Sequence, residues 1–279
     1  MKVLKNSLFK YIGILSTLIG VVFLITLLVD VFYSGVSRLN WQFVSGSLSR
    51  HAEVSGIFPA IMGTGLIMIL TSIIAIPIGV GAGIYLEEYG NNNRFASFLE
   101  INIANLAGVP SIIYGILGLQ LFSRWLDLGA SFLTGALTLS LLILPIVIVA
   151  TRSALKTVPS SLKEASYALG ATKWQTIWFQ IIPSSLGGIL TGIILALSRA
   201  IGETAPLIVI GAKVFVSSPN SVYDPYTVLP LQIFNWVSRP QAAFAVNASA
   251  AIVVLLLITF LMNLTAIYLR NKSQSRNKF

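Results

Sequence analysis

The sequence predicts an all-α integral membrane protein of about six transmembrane helices, with a polar helical hairpin between the fourth and fifth. Three observations carry this expectation. The 279 residues are 56% hydrophobic and only 10% charged, with a mean hydropathy of +0.86, so the folded chain cannot turn its whole surface to water. Apolar runs recur that are long enough to cross a hydrocarbon core of about 30 Å. Between two of these runs, residues 161–183 (SLKEASYALGATKWQTIWFQIIP) bring helix caps, a glycine and a proline into an otherwise greasy chain.

The spans fall at about 11–32, 57–86, 97–122, 132–150, 184–212 and 245–269, all within one transmembrane domain, 1–279. The apolar run after Lys10 is about 22 residues, longer than a signal-peptide core, and no small-residue cleavage site follows it, so it reads as a retained first span. The second is punctuated early by Gly and Pro, over residues 56–65, which places its first turns at the interface. The third is interrupted by Glu100, Asn102, Asn105 and Pro110; such a span survives only where it faces protein or a water-filled cavity. Gly79, Gly81 and Gly83 in the second span, and Gly108, Gly115 and Gly118 in the third, permit close helix packing.

The loop 151–183 is expected to hold two short helices. Ser161 and Glu164 have the spacing of a capping box, and Thr172 and Gln175 repeat it. Gly170 suits a left-handed turn between them. Trp174, Ile177, Trp178 and Ile181 follow at helical spacing, and Pro183 stands where the fifth span begins. Outside the spans lie 33–56, with Trp41, Arg50, His51 and Glu53, and 213–244, whose apolar run Leu229–Val237 is too short to cross and reads as an interfacial or re-entrant helix.

Charge gives the orientation. With the N-terminus inside, twelve Lys and Arg fall on the cytoplasmic side, among them Arg94, Arg152, Lys156, Lys163, Lys173 and Lys278. Five fall outside (Arg38, Arg50, Arg124, Lys213 and Arg239), and Arg199 lies within a span. Positive residues concentrate inside, so both termini and the hairpin are expected in the cytoplasm.

Several chemistries are excluded. There is no cysteine and one histidine, His51, so a disulfide framework, a thiolate metal site or a His-based triad has no residues to build it. No GxxxxGK[ST] phosphate loop occurs, and no nucleophile–base pair suggests an independent enzyme. The positive charge reads as membrane topology, with no nucleic-acid partner implied.

Arg199 and Glu203, in SRAIGETAP, are the residues that could carry chemistry. Arg199 comes sixteen residues after Pro183, about 24 Å along a helix, and a charge at that depth costs on the order of 2.5–3.5 kcal/mol to insert. One reading is a structural i,i+4 ion pair, although Arg before Glu is the weaker order. The other is a cavity wall: Pro206 denies a hydrogen bond to the carbonyl of Gly202 and loosens the helix beside the charges. An arginine fork suits a tetrahedral oxyanion, and the loosened backbone favours the wall. Glu87, Glu88 and Tyr89, at the end of the second span, read as solvated helix-end groups, and Glu100 is left ambiguous.

The pattern Glu164-Ala165-Ser166, Gly170, Pro183 resembles the EAA loop of ABC-importer permeases. Ser166 replaces the usual second alanine and Gln180 stands where isoleucine is common; the glutamate, glycine and proline spacings match. Four stretches narrow the likeness: LAGVPSIIYGILGL (106–119), LGATKWQTI (169–177), SRAIGETAPLI (198–208) and LPLQIFNWVSRP (229–240) resemble PstA-type permeases of phosphate-specific ABC importers. The similarity runs from about residue 55 to the sixth span, and GETAP followed by FNW favours the PstA over the PstC type.

This resemblance implies a type I ABC-importer permease fold in the bacterial cytoplasmic (inner) membrane. It implies a heterodimer with a PstC-type permease, two PstB-type ATPases that bind ATP and Mg²⁺, and a PstS-type phosphate-binding protein, with no cofactor in this chain and no ATPase activity of its own. Arg199 and Glu203 would line the phosphate path, and Glu164, Ala165, Gly170 and Pro183 would form the coupling loop to the ATPase. Three rivals remain. One is a permease for another oxyanion such as molybdate or sulfate. Another is an ATP-independent secondary anion transporter or channel, which predicts inverted repeats of broken helices that this sequence lacks. The third is a membrane-embedded structural or signalling subunit.

Overall fold

In a lipid core every backbone N–H and C=O must find a partner within the chain, and this sequence meets that demand with helices alone. The computed structural model describes residues 2–90, 94–216, 218–219 and 221–276; Lys278, counted above among the cytoplasmic charges, lies outside them. Among the described residues, only an isolated bridge between Ser131 and Pro225 departs from helix and loop. Twelve α-helices run α1 (Lys2–Val36), α2 (Trp41–Ser45), α3 (Phe58–Ile84), α4 (Arg94–Ala107), α5 (Ser111–Gly118), α6 (Phe132–Lys156), α7 (Ser160–Ala168), α8 (Lys173–Thr176), α9 (Ile182–Ile201), α10 (Ala205–Ile210), α11 (Leu229–Val237) and α12 (Ala242–Arg276). Wider π-turns extend α3 (Tyr85–Tyr89) and α5 (Leu119–Trp125) and join α8 to α9 (Ile177–Ile181).

Five of these helical stretches are long and apolar enough to cross a membrane, and they become six where the bent pair α4–α5, whose axes meet at 106°, is counted as one broken span. That pair is the expected third span. Its far ends join opposite ends of α6: Ala96 packs with Leu86 and Ile148 near the end of α6, whereas the carbonyl of Gly129 accepts from Thr134 near its start. The bend follows from Gly108 and Pro110. The proline begins α5 at φ −55° with no N–H to extend α4, and the carbonyl of Leu106 accepts from the Val109 N–H at 3.1 Å and from the Tyr114 hydroxyl at 2.8 Å, tying the two halves together.

The most buried span, α6, is the axis of the bundle, with α3 along one flank and α9 along another. Their closeness comes from small side chains, because lipid offers no hydrophobic drive between helices. A Cβ on Gly192 would lie 2.2 Å from the Ala150 methyl, and one on Gly79 would lie 2.6 Å from Val147. Gly83, Gly115 and Gly118 are equally tight, as expected; Gly81 faces open space, and Gly108 serves the bend. By contrast α1 buries none of its most apolar window and packs chiefly on α12, where Gly35 meets the backbone of Ala250.

At the end opposite the hairpin, Phe43, Ile57, Leu229, Trp236 and Phe244 form one buried cluster. The expected interfacial helix is α11. It buries Leu229, Leu231 and Trp236 against the bundle and leaves Phe234 and Val237 exposed, while the Leu229 N–H donates to Thr64 Oγ1 at 2.9 Å. Arg38 is held by Asn247 Oδ1 at 3.1 Å and pins the loop between α2 and α3 through the carbonyls of Ala52, Glu53 and Ser55.

Candidate functional site

The fifth span differs from its expected bounds at both ends, and both differences shape the site. Its helix begins earlier, at Lys173, and runs without interruption to Ile201. Pro183 therefore does not open a separate helix. The π-turn at Ile177–Ile181 takes up the break, and the Ile182 N–H reaches back five residues to the carbonyl of Ile177; Pro77 and Pro145, by contrast, lie inside α3 and α6 without such a turn. The helix also stops earlier than expected. Gly202, Glu203 and Thr204 fall outside the helices, with the N–H groups of Gly202 and Glu203 reaching back only three residues, before α10 restarts with Pro206 in its first turn, so the break precedes the proline.

Arg199 and Glu203 straddle that break. The Nε of Arg199 lies 3.5 Å from Glu203 Oε1, with the arginine side chain 47% exposed and the glutamate 17%. The neighbouring Ala200 packs with Leu142 and Ile143, residues midway along α6, so the pair sits near mid-depth. Ser198 fixes this stretch by donating to Asn263 Oδ1 on α12 at 2.6 Å. Behind Glu203, a gap bounded by Thr64, Met68, Leu139, Leu207 and Val228 measures only 10 Å³. The LAGVPSIIYGILGL stretch folds against the same place: a Cβ on Gly115 would lie 2.7 Å from the Cα of Pro206. Asn263 was not among the sequence candidates, although an asparagine inside the sixth span is a signal of the kind that marks a polar site in a membrane.

The other candidate residues gather at the far end, in α7 and α8. Only one of the two expected caps forms. Thr172 Oγ1 accepts from the Gln175 N–H at 3.3 Å, and Gln175 Oε1 accepts from the Thr172 N–H at 2.8 Å. The Ser161–Glu164 box is absent, because α7 starts two residues sooner: Pro159, at φ −59°, is the N-cap and leaves Ser161 inside the helix. Glu164 and Ala165 are exposed on α7. Gly170 has φ +83°, the left-handed turn its position predicts. The two arms are tied by Ser166 and Thr176 hydroxyls 2.9 Å apart, and between them lies a groove of 610 Å³ lined by Ala165, Ser166, Leu169, Gly170, Gln175 and Phe179. Of the four periodic residues in the second arm, Ile177 and Ile181 are fully buried, while Trp174 and Trp178 stack on the outer side with centroids 5.6 Å apart.

The expectation for the acidic residues ending the second span is overturned. Glu87 and Glu88 are not solvated charges, and Glu100, which the sequence left ambiguous, is partly exposed but paired. Glu88 is buried and accepts from Lys163 Nζ at 2.7 Å; Glu87 meets Arg152 Nε at 3.1 Å; and Glu100 pairs with the same arginine. Span four, expected to stop at residue 150, continues as helix to Lys156 and so carries Arg152 into reach.

Residues 75–273 match the family described as "Binding-protein-dependent transport system inner membrane component". The chain is 33% identical to the phosphate transport system permease protein PstA of Yersinia pestis, covering 94% of this chain and 88% of the relative. It is 32% identical to the probable ABC transporter permease protein YqgI of Bacillus subtilis, covering 92% of each. Its fold is that of a bacterial alginate ABC transporter solved with an alginate pentasaccharide-bound periplasmic protein, at a TM-score of 0.71 over 98% of this chain and 97% of that one, with 15% identity. The chain belongs to the family of binding-protein-dependent inner-membrane transport components, and it is a multi-pass permease subunit of an ABC importer, homologous to PstA-type phosphate permeases.

Proposed function

We propose that this importer subunit conducts inorganic phosphate inward along a path that Arg199 and Glu203 line, driven by an ATPase docked on the α7–α8 hairpin. The observation that carries the reading is the unbroken rod Lys173–Ile201, about 44 Å long at 1.5 Å per residue. One end is the second arm of the hairpin, and the other end is the break that holds Arg199 and Glu203.

The chemistry fits a tetrahedral oxyanion. A guanidinium offers N–H donors in fixed geometry and does not exchange its proton near neutrality. Glu203 lies close enough to orient that fork, and it can meet the remaining proton of a monohydrogen or dihydrogen phosphate. Because the gap behind Glu203 is so small, the solute passes on the exposed side of Arg199, where Leu195 one turn earlier is also exposed. That side is left for a second permease subunit to complete.

At the hairpin, Glu164, Ala165, Gly170 and Pro183 serve as the coupling loop, and the exposed Leu169 at the turn gives a partner an apolar tip to hold. In the full importer the partners are a PstC-type permease, two PstB-type ATPases carrying ATP and Mg²⁺, and a PstS-type binding protein. Both termini and the hairpin face the cytoplasm, as the charge asymmetry directs.

The deciding experiment is phosphate uptake by the four components reconstituted in vesicles, with and without ATP. ATP-dependent uptake, competed by phosphate and not by molybdate or sulfate, is expected. Competition by either of those anions would move the assignment to another oxyanion, and uptake surviving an ATPase-dead partner would make the chain a secondary transporter. Assembly without any transport would leave a structural or signalling subunit.

A further inference from the structure

Three consecutive residues at the end of α3 each hold a different element. Glu87 takes Arg152 on α6 at 3.1 Å. Glu88 takes Lys163 on α7 at 2.7 Å, with the glutamate side chain 5% exposed and the lysine 25%. The ring of Tyr89 lies under Lys173 Nζ, at the start of α8, 4.4 Å from centroid to nitrogen. The segment is the π-turn Tyr85–Tyr89, and such turns inside helices tend to sit at functional positions. Here the turn presents three neighbouring side chains to three separate helices, two of them the opposite arms of the hairpin.

The chemistry of these contacts differs from that of a surface charge pair. A nearly buried carboxylate on a lysine is a charge-assisted bond in a poorly solvated place. Breaking it leaves a buried charge without its partner, so the hairpin is strongly biased to move together with α3. The lysines sit at opposite ends of the hairpin: Lys163 lies in the first turn of α7, at the root of the first arm, and Lys173 is the first residue of α8, just past the turn. Neither contributes to the groove between the arms, so both hold the hairpin while leaving its docking face open.

We propose that the segment Glu87-Glu88-Tyr89 is a clamp that makes the coupling hairpin move as one body with the α3–α6 core, with Glu88 and Lys163 as its positioning residues. This rests on reading the hairpin as the ATPase dock. The clamp's task is to pass displacement of the dock into the membrane bundle as well as into α9, so that ATP turnover without transport is the defect its loss should produce.

The test is made on the intact reconstituted importer, reading phosphate imported per ATP hydrolysed. A residue that merely supports folding lowers both quantities together; a positioning residue lowers their ratio. Glu88→Gln and Lys163→Met are each expected to lower the ratio about tenfold, and the exchange Glu88→Lys with Lys163→Glu to restore it to within about threefold. Tyr89→Leu removes only the outer contact with Lys173 and is expected to lower the ratio less, about twofold to threefold. A parental ratio in Glu88→Gln and Lys163→Met, or an exchange variant no better than the single ones, overturns the clamp. If Glu88→Gln does not assemble, an unchanged ratio in Tyr89→Leu overturns it instead. A cysteine at Leu169→Cys separates the two readings. If it crosslinks to the ATPase while Glu88→Gln and Lys163→Met keep the parental ratio, docking stands and the clamp falls; if the intact complex carrying Leu169→Cys gives no crosslink, docking falls and takes the clamp with it.

Discussion

At mid-depth in the bundle, Arg199 meets Glu203 through Nε at 3.5 Å, and its two terminal amino groups remain available to a solute among the described residues. A charge-assisted hydrogen bond contributes about 1.5–3 kcal/mol, or roughly tenfold to a hundredfold in affinity. Arg199→Ala is therefore expected to lower the initial rate of labelled phosphate uptake at least about tenfold, with the complex still co-purifying. Arg199→Lys, which keeps the charge and loses the fork, should fall between the two; uptake equal to the parent in Arg199→Ala would remove this residue from the path. A second residue, Tyr226, tests the packing around it. Its hydroxyl donates to the carbonyl of Leu207 on α10 at 2.9 Å, and burial pushes its phenol well above the usual value. The raised value means that its contribution is fully present below the ordinary phenol pKa of about 10 and is lost as pH rises beyond it. Tyr226→Phe should cost about 1 kcal/mol at pH 8 and flatten the loss of stability above pH 10 or so, both readable from thermal unfolding in detergent across pH.

At the scale of elements, the hairpin and the bend make separate predictions. Gly170 at φ +83° tolerates a side chain only at a cost of about 1–2 kcal/mol, and Thr172→Ala loses a cap worth about 0.5–2 kcal/mol. Both should loosen ATPase co-purification without changing the insertion of the spans. Gly115→Ala has no room against Pro206; it should push α5 off α10 and lower uptake while leaving ATPase binding unchanged, and the reverse pattern would detach α5 from the path. The limits of sequence reading show in the same elements. Gly170 and the Thr172–Gln175 box were legible because each is a local rule satisfied within four residues. The Ser161–Glu164 box failed since Pro159 started α7 two residues earlier, and Pro183 seemed a boundary only because a π-turn that absorbs a proline has no sequence signature of its own.

For the whole molecule, hydropathy and charge gave the number of crossings and a consistent arrangement, since in lipid only a closed helical solution satisfies the backbone. What they missed were long-range pairings: Glu88 with Lys163 is 75 residues apart, and Ser198 with Asn263 is 65. No local rule reports these. The proposed orientation predicts that a cysteine at Tyr223→Cys reacts with an impermeant maleimide added outside intact spheroplasts, whereas one at Leu169→Cys reacts only after permeabilisation; the opposite labelling would invert the topology.

The rod Lys173–Ile201 is gripped partway along its length. A Cβ on Gly188 would lie 2.7 Å from the Ala154 methyl, and one on Gly192 would lie 2.2 Å from that of Ala150. From Gly188 back to Lys173 is about 22 Å, and from Gly192 on to Arg199 is about 10 Å. With the clamp at the dock, these contacts fasten the rod to the bundle at two heights, so it follows α6 as a splint follows a bone. Distances from spin labels at the two ends of the rod to α6 are therefore expected to stay constant with and without ATP; opposite shifts at the two ends would show that the rod pivots and that the dock is not held to the core.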